Sequence, residues 1–130
     1  MVVRCLGCAV VYLMLGVVLG VAMGITHRFE YAPIHAHVNL LGWASLALFA
    51  LIYHVRPQAG VTRLARWHFW LHNTGLPLFM VSLFLLRSGV ERAETWVRVG
   101  GAITFAGLVL FAVNLLCDLW TTRRAAIVTP

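Results

Sequence analysis

Ile34-His35-Ala36-His37-Val38-Asn39-Leu40-Leu41-Gly42-Trp43 opens an apolar stretch that continues to Tyr53 and decides how the chain is read. Its two histidines are separated by one residue. On an α-helix a two-residue step turns the side chain through about 200°, so the rings point away from each other and cannot chelate one metal from a single helix. Each needs a partner on its own side. An ionisable side chain inside a hydrophobic span is a functional-site candidate by default. Two of them on opposite faces suggest a helix wedged between two cofactors.

The surrounding composition says what kind of helix this is. Apolar residues make up 62% of the 130-residue chain and charged residues 11%, against roughly 45–50% and about 25% in soluble domains. Too little polar surface remains to coat a water-facing globule. Cutting the chain at its charged and turn-forming residues leaves four apolar stretches, about 5–25, 34–55, 64–86 and 96–120. Each has the roughly 20 residues that cross a hydrocarbon core about 30 Å thick. The first exceeds the usual 7–15 residues of a cleavable signal and is expected to span. The expectation is one all-α unit of four membrane helices over residues 1–130, embedded in a lipid bilayer, with no second domain.

The net charge of +6 comes from arginine alone, and those arginines flank apolar stretches without forming a basic stripe. Juxtamembrane charge accounts for it, and a nucleic-acid partner is not expected. Four helices bring both termini to one side, which carries Arg4, Arg56, Arg63, Arg66, Arg123 and Arg124, whereas Arg28, Arg87, Arg92 and Arg98 lie opposite. The excess of basic residues places both termini in the cytoplasm, and a bacterial inner membrane is the expected location. Trp67, Trp96 and Trp120 fall at span ends, where indoles prefer the interface. Cys5 and Cys8 form a C-x-x-C inside an apolar helix and are expected to stay reduced there. Cys117 is expected to pack.

Gly16, Gly20 and Gly24 recur every fourth residue, the small-residue spacing of a close helix contact. Gly42 follows His35 by seven residues on nearly the same stripe. Its missing side chain makes room either for a flat macrocycle or for a neighbouring helix. Asn73, Gly75 and Pro77 interrupt the third span, and Pro77 is expected to kink it. His72 and Asn73 read first as polar groups bonded to neighbouring helices. His54 and His68, near span ends, read as wet, and His27 falls in a loop. His72 enters from the side of the termini by roughly 12 Å, so one metal shared with His37 of the same chain is not expected.

The second and third spans resemble a known pattern. His35-Ala36-His37, Gly42, Tyr53-His54, Pro57, then Trp67-His68-Phe69-Trp70-Leu71 and Gly75 resemble the tenth and eleventh helices of haem-copper oxidase subunit I. The resemblance covers roughly residues 34–80. It implies that His35 is the axial ligand of one haem and His37 the ligand of another. It also implies haems toward the outer side of the membrane, with Arg28, Arg87 and Arg92 available to their propionates. The oxidase subunit has twelve helices in three groups of four, so a homotrimer of this chain would match it. In such a ring His35 of one copy would face His37 of the next across a haem b. The pattern also departs from the family, because no His-His pair occurs and Arg87–Glu94 contains no histidine. Oxygen reduction to water is therefore not expected, and copper is not the favoured cofactor. A haem with both axial positions filled suits electron transfer, with quinol or a redox protein as partner, whereas a displaced ligand would permit diatomic-gas handling. The alternatives are a cofactor-free assembly subunit, and a copper- or zinc-handling protein using His35, His37, His68 and His72.

Overall fold

The structure, a computed structural model, describes the backbone of residues 1–128 and the side chains of residues 1–124. Four helices are long and apolar enough to cross a membrane: α1 (Val2–Thr26), α2 (Phe29–Val55), α3 (Arg63–Arg87) and α4 (Glu94–Val128). All secondary structure among the described residues is helical. Helix α1 stops at His27, which takes a left-handed conformation (φ 56°). Helix α2 starts as a single 3-10 turn over Phe29–Tyr31 and passes through α-helix Ala32–His37 into a π-helical segment, Val38–Ala44. It returns to α-helix over Ser45–Val55. A short helical turn, Pro57–Gly60, leads to α3, whose first turn is capped by the Thr62 hydroxyl accepting from the Ala65 amide at 3.0 Å. Gly89, at φ 93°, makes the turn out of α3, a conformation that only glycine adopts freely.

The helices pair as α1 with α2 and α3 with α4, the latter being the more extensive contact. Lipid offers no hydrophobic drive for association, so backbones must approach closely enough for dispersion contacts to accumulate. Between α3 and α4 that approach is set by Gly75, Gly100 and Gly107. A methyl at Gly100 would meet the Phe79 backbone at 2.5 Å, one at Gly75 the Thr104 amide at 2.6 Å, and one at Gly107 the His72 amide at 2.9 Å. Between α1 and α2, Gly16 receives Asn39 and Gly20 receives His35, while Gly24 faces open space. Two of the three glycines in the first-helix stripe thus make the expected contact. Helix α3 runs unbroken through Pro77. Asn73 donates to the Phe69 carbonyl at 2.9 Å and Thr74 to the Trp70 carbonyl at 2.8 Å, so the polar groups around the proline are bonded within their own helix.

Two buried clusters fill the bundle. One joins Cys5 and Ala9 of α1 to Leu46, Phe49 and Tyr53 of α2 and Phe69 of α3. The other joins Met23 to Tyr31, Ile34, Val38, Leu76 and Met80, at the end where α2 begins. Large apolar side chains such as Val18, Leu40, Leu51, Phe105 and Leu116 point outward, as a lipid-facing surface requires. Trp67, Trp96 and Trp120 are all exposed, the first two near the starts of α3 and α4. Cys5 is buried, but Cys117 is exposed rather than packed.

Candidate functional site

His35 and His37 leave α2 in opposite directions. The His35 ring lodges against α1, its Nδ1 3.0 Å from the Gly16 carbonyl and its Cε1 over Gly20. The His37 ring faces α3 and meets Phe79 edge-on, with centroids 5.2 Å apart. Its Nδ1 lies 2.6 Å from the Pro33 carbonyl, one turn back in its own helix. A carbonyl oxygen can only accept, so both imidazoles carry their proton on Nδ1 and keep the Nε2 lone pair. Metal-ligating histidines almost always show this arrangement, in which the bonded N–H fixes the tautomer and raises the basicity of the other nitrogen. Asn39 holds the region together by donating to the His35 carbonyl at 2.8 Å while filling the notch at Gly16. Both rings are half-buried.

The π-helical segment follows directly. Widening a turn from four residues to five leaves one carbonyl without an amide, and such bulges recur at functional sites. The Ser45 amide and hydroxyl both reach back to Leu40, the hydroxyl at 2.8 Å. The next carbonyl, Leu41, accepts instead from His72 Nε2 of α3 at 2.9 Å. His72 is therefore bonded to a neighbouring helix, as expected, and it pins the widened turn just beyond the histidine pair. It is fully buried.

His68, one turn before His72, is also fully buried, and this corrects the expectation of a wet residue. Its Nδ1 donates to the Gly107 carbonyl at 2.9 Å, because Gly107 lets α4 come close enough to cover it. Both rings present a second nitrogen, His68 Nε2 and His72 Nδ1, that is buried without a partner, as is the Tyr53 hydroxyl. A buried acceptor in that state costs about 1–3 kcal/mol. His54 and His27 are exposed. Among the described residues no group of three or more histidine, cysteine or acidic side chains converges.

Gly42 packs against Tyr12 of α1, where an added methyl would lie 2.5 Å from the ring. The room it makes is filled by a neighbouring helix of the same chain. Arg28 pairs with Glu30 at 2.8 Å and donates to the Tyr31 hydroxyl at 2.8 Å. That carboxylate, hydrogen-bonded to the guanidinium, raises the Arg28 pKa above its ordinary value. The Tyr31 hydroxyl lies 3.1 Å from that of Ser88, which ties the α1–α2 turn to the end of α3 beside Arg87. Arg87 and Arg92 are exposed, and Arg92 borders an open apolar groove of about 420 Å³ between Leu78, Val81, Leu85 and Trp96. All three arginines thus belong to the end of the bundle where α2 starts. Asn39, Ser45 and the burial of His68 escaped the reading of the sequence. The four-residue step from His68 to His72 was the available signal, since it puts both on one face.

No family model matches the chain, and no solved structure matches it. The chain is 26% identical over 134 aligned positions to a Cbb3-type cytochrome c oxidase subunit CcoN1 of Stutzerimonas stutzeri, covering 78% of this chain and 27% of that protein. It is 28% identical over 78 positions to a cytochrome c oxidase subunit 1 homolog of Agrobacterium tumefaciens, covering 55% of this chain and 14% of the relative. It is 26% identical over 81 positions to cytochrome c oxidase subunit 1 of Rhodobacter capsulatus, covering 58% and 15%. The chain thus spans about a quarter or less of the length of these relatives. Four apolar helices make it an integral membrane protein, and over part of its length it is similar to subunit I of haem-copper oxidases.

Proposed function

We propose that the chain binds haem b through His35 and His37 and carries single electrons within the membrane, as a homotrimer with both termini in the cytoplasm. One observation carries the reading. Two imidazoles leave opposite faces of one membrane helix, each with Nδ1 bonded to a backbone carbonyl, and the Nε2 atoms are left to a ligand except for a long 3.5 Å contact from the Asn39 amide to that of His35. The donor set fits the group, since neutral imidazoles held in one tautomer are the usual protein ligands of haem iron. The similarity to oxidase subunit I points the same way.

Haem b, when bound, supplies a one-electron iron couple. The chain's own residues do the rest. Gly16 and Pro33 carbonyls orient the two rings, and since the rings of one chain face different helices, a second imidazole for each haem would come from another copy. A haem held by two imidazoles would leave no open site for a substrate oxygen, which favours electron transfer over oxygen reduction. Arg28, Arg87 and Arg92 offer guanidinium groups to the propionates at the end where α2 begins. A quinol or a redox protein supplies or accepts the electron, and a bacterial inner membrane is the setting.

The test is the reduced-minus-oxidised visible spectrum of detergent-purified protein expressed with ample haem, with a pyridine haemochrome assay alongside. Sharp α and β bands that carbon monoxide leaves unchanged support bis-histidine haem b. A carbon monoxide shift replaces electron transfer with gas handling at an open site. Absence of haem moves the function to an assembly or metal-handling protein.

A further inference from the structure

His68 and His72 of α3 form a second pair of imidazoles, which differs from the first in its full burial. They occupy successive turns on one face of α3, both are fully buried, and their ring centroids are 5.8 Å apart. Each uses one nitrogen as a donor to a backbone carbonyl: His68 Nδ1 to Gly107 of α4, and His72 Nε2 to Leu41 of α2. Each ring therefore has a lone pair on its other nitrogen, and neither lone pair has a donor. Two acceptors facing no donor in a dry interior call for a Lewis acid. Carbonyl-bonded N–H groups are the outer support that metal-bound imidazoles need.

We propose that His68 Nε2 and His72 Nδ1 bind one copper(I) ion. An imidazole nitrogen lies about 1.2 Å from its ring centroid and bonds a metal at about 2.0 Å, so two imidazoles on one ion have centroids up to about 6.4 Å apart. The 5.8 Å separation lies within that reach. The charge of the ion follows from the surroundings. Neither ring has a carboxylate partner, and Asp118 of α4 is already paired with Arg56 at 2.6 Å. The burial penalty of an ion rises steeply with its charge, so two neutral donors tolerate a monovalent ion far better than a divalent one. Zinc also demands four ligands in a closed site, and imidazole is a good ligand for copper. Phe49 packs edge-on against both rings, with centroids 4.7 and 5.6 Å away, and Phe111 lies 5.1 Å from His68. These aromatic walls exclude water from the two rings.

The site is independent of the haem reading, and its test does not use haem. Purified full-length protein is reduced anaerobically and titrated with copper(I) against a chromophoric chelator such as bicinchoninate, and the loaded protein is examined by X-ray absorption. One copper(I) per chain with imidazole nitrogen scatterers is the expected result. Sulfur scatterers alone would place the metal on Cys5 and Cys8 and overturn the proposal, as would failure to compete with the chelator. The titration is repeated with Cys5→Ala, Cys8→Ser and Cys117→Ser to remove thiolate competition. In that background His68→Gln and His72→Gln, whose amides still donate to the carbonyls, should weaken binding about 100-fold or more. His35→Ala with His37→Ala should leave it unchanged. Unaltered affinity in both glutamine variants would also overturn the assignment.

Discussion

At His37 a single hydrogen bond settles the chemistry of the ring, because the Pro33 carbonyl accepts from Nδ1 and leaves Nε2 as the only basic nitrogen. His35 reaches the same state through Gly16. Under the haem reading, His35→Ala and His37→Ala each abolish or severely reduce haem retention, whereas exposed His54→Ala keeps the spectrum intact. Intact spectra in both pair variants would sink the ligand assignment. A subtler variant moves the ligand without removing it. A β-carbon at Gly20 meets His35 Cε1 at 2.8 Å, and one at Gly24 meets nothing within 4 Å. Gly20→Val should therefore lower haem occupancy and Gly24→Val should not, as read from the haemochrome per chain. Both positions belong to one four-residue stripe, and the sequence marks them alike. Only the path of α2 across α1 makes them different.

Among the elements, α2 holds the widened turn and the α3–α4 pair makes the most extensive contact. The π-helical turn in α2 leaves the Leu41 carbonyl to His72. In copper-free protein, His72→Phe strands that carbonyl and should cost about 1–3 kcal/mol, while His72→Gln, which keeps a donor, should recover most of it. Thermal unfolding followed by helical circular dichroism reads the difference. An equal loss in both variants would mean that ring packing, and not the bond, is what matters. The α3–α4 contact offers a second test. Gly100 sits against the Phe79 backbone, and neighbouring Gly101 faces nothing within 4 Å. Gly100→Leu is expected to destabilise by about 1–3 kcal/mol or to open the pair, whereas Gly101→Leu is expected to be tolerated. The first-helix glycine stripe was legible from its spacing. The tighter α3–α4 approach was not, because Gly75, Gly100 and Gly107 lie on two helices and form no repeat along the chain.

For the whole molecule, four helices of one chain expose apolar surface all round, and the trimer reading assigns part of that surface to other copies. Native mass spectrometry from detergent should find three 14.4 kDa chains together with the haem, and monomers holding haem on both histidines would remove the shared-site arrangement. The sequence by itself determined that this is a membrane protein of four helices. Length and apolar content alone decide whether a segment can cross a bilayer, because no other backbone arrangement in a chain like this satisfies its hydrogen bonds in lipid. It also determined that His35 and His37 diverge, since a two-residue step on a helix allows nothing else. Tertiary structure alone decided that His68 is dry and that it, like His72, bonds a backbone carbonyl of a neighbouring helix. It also decided that Gly42 receives Tyr12, and that a widened turn in α2 hands a carbonyl to α3. Those outcomes depend on which helix lies alongside and how closely, a matter of packing between segments far apart in the chain that no local pattern encodes.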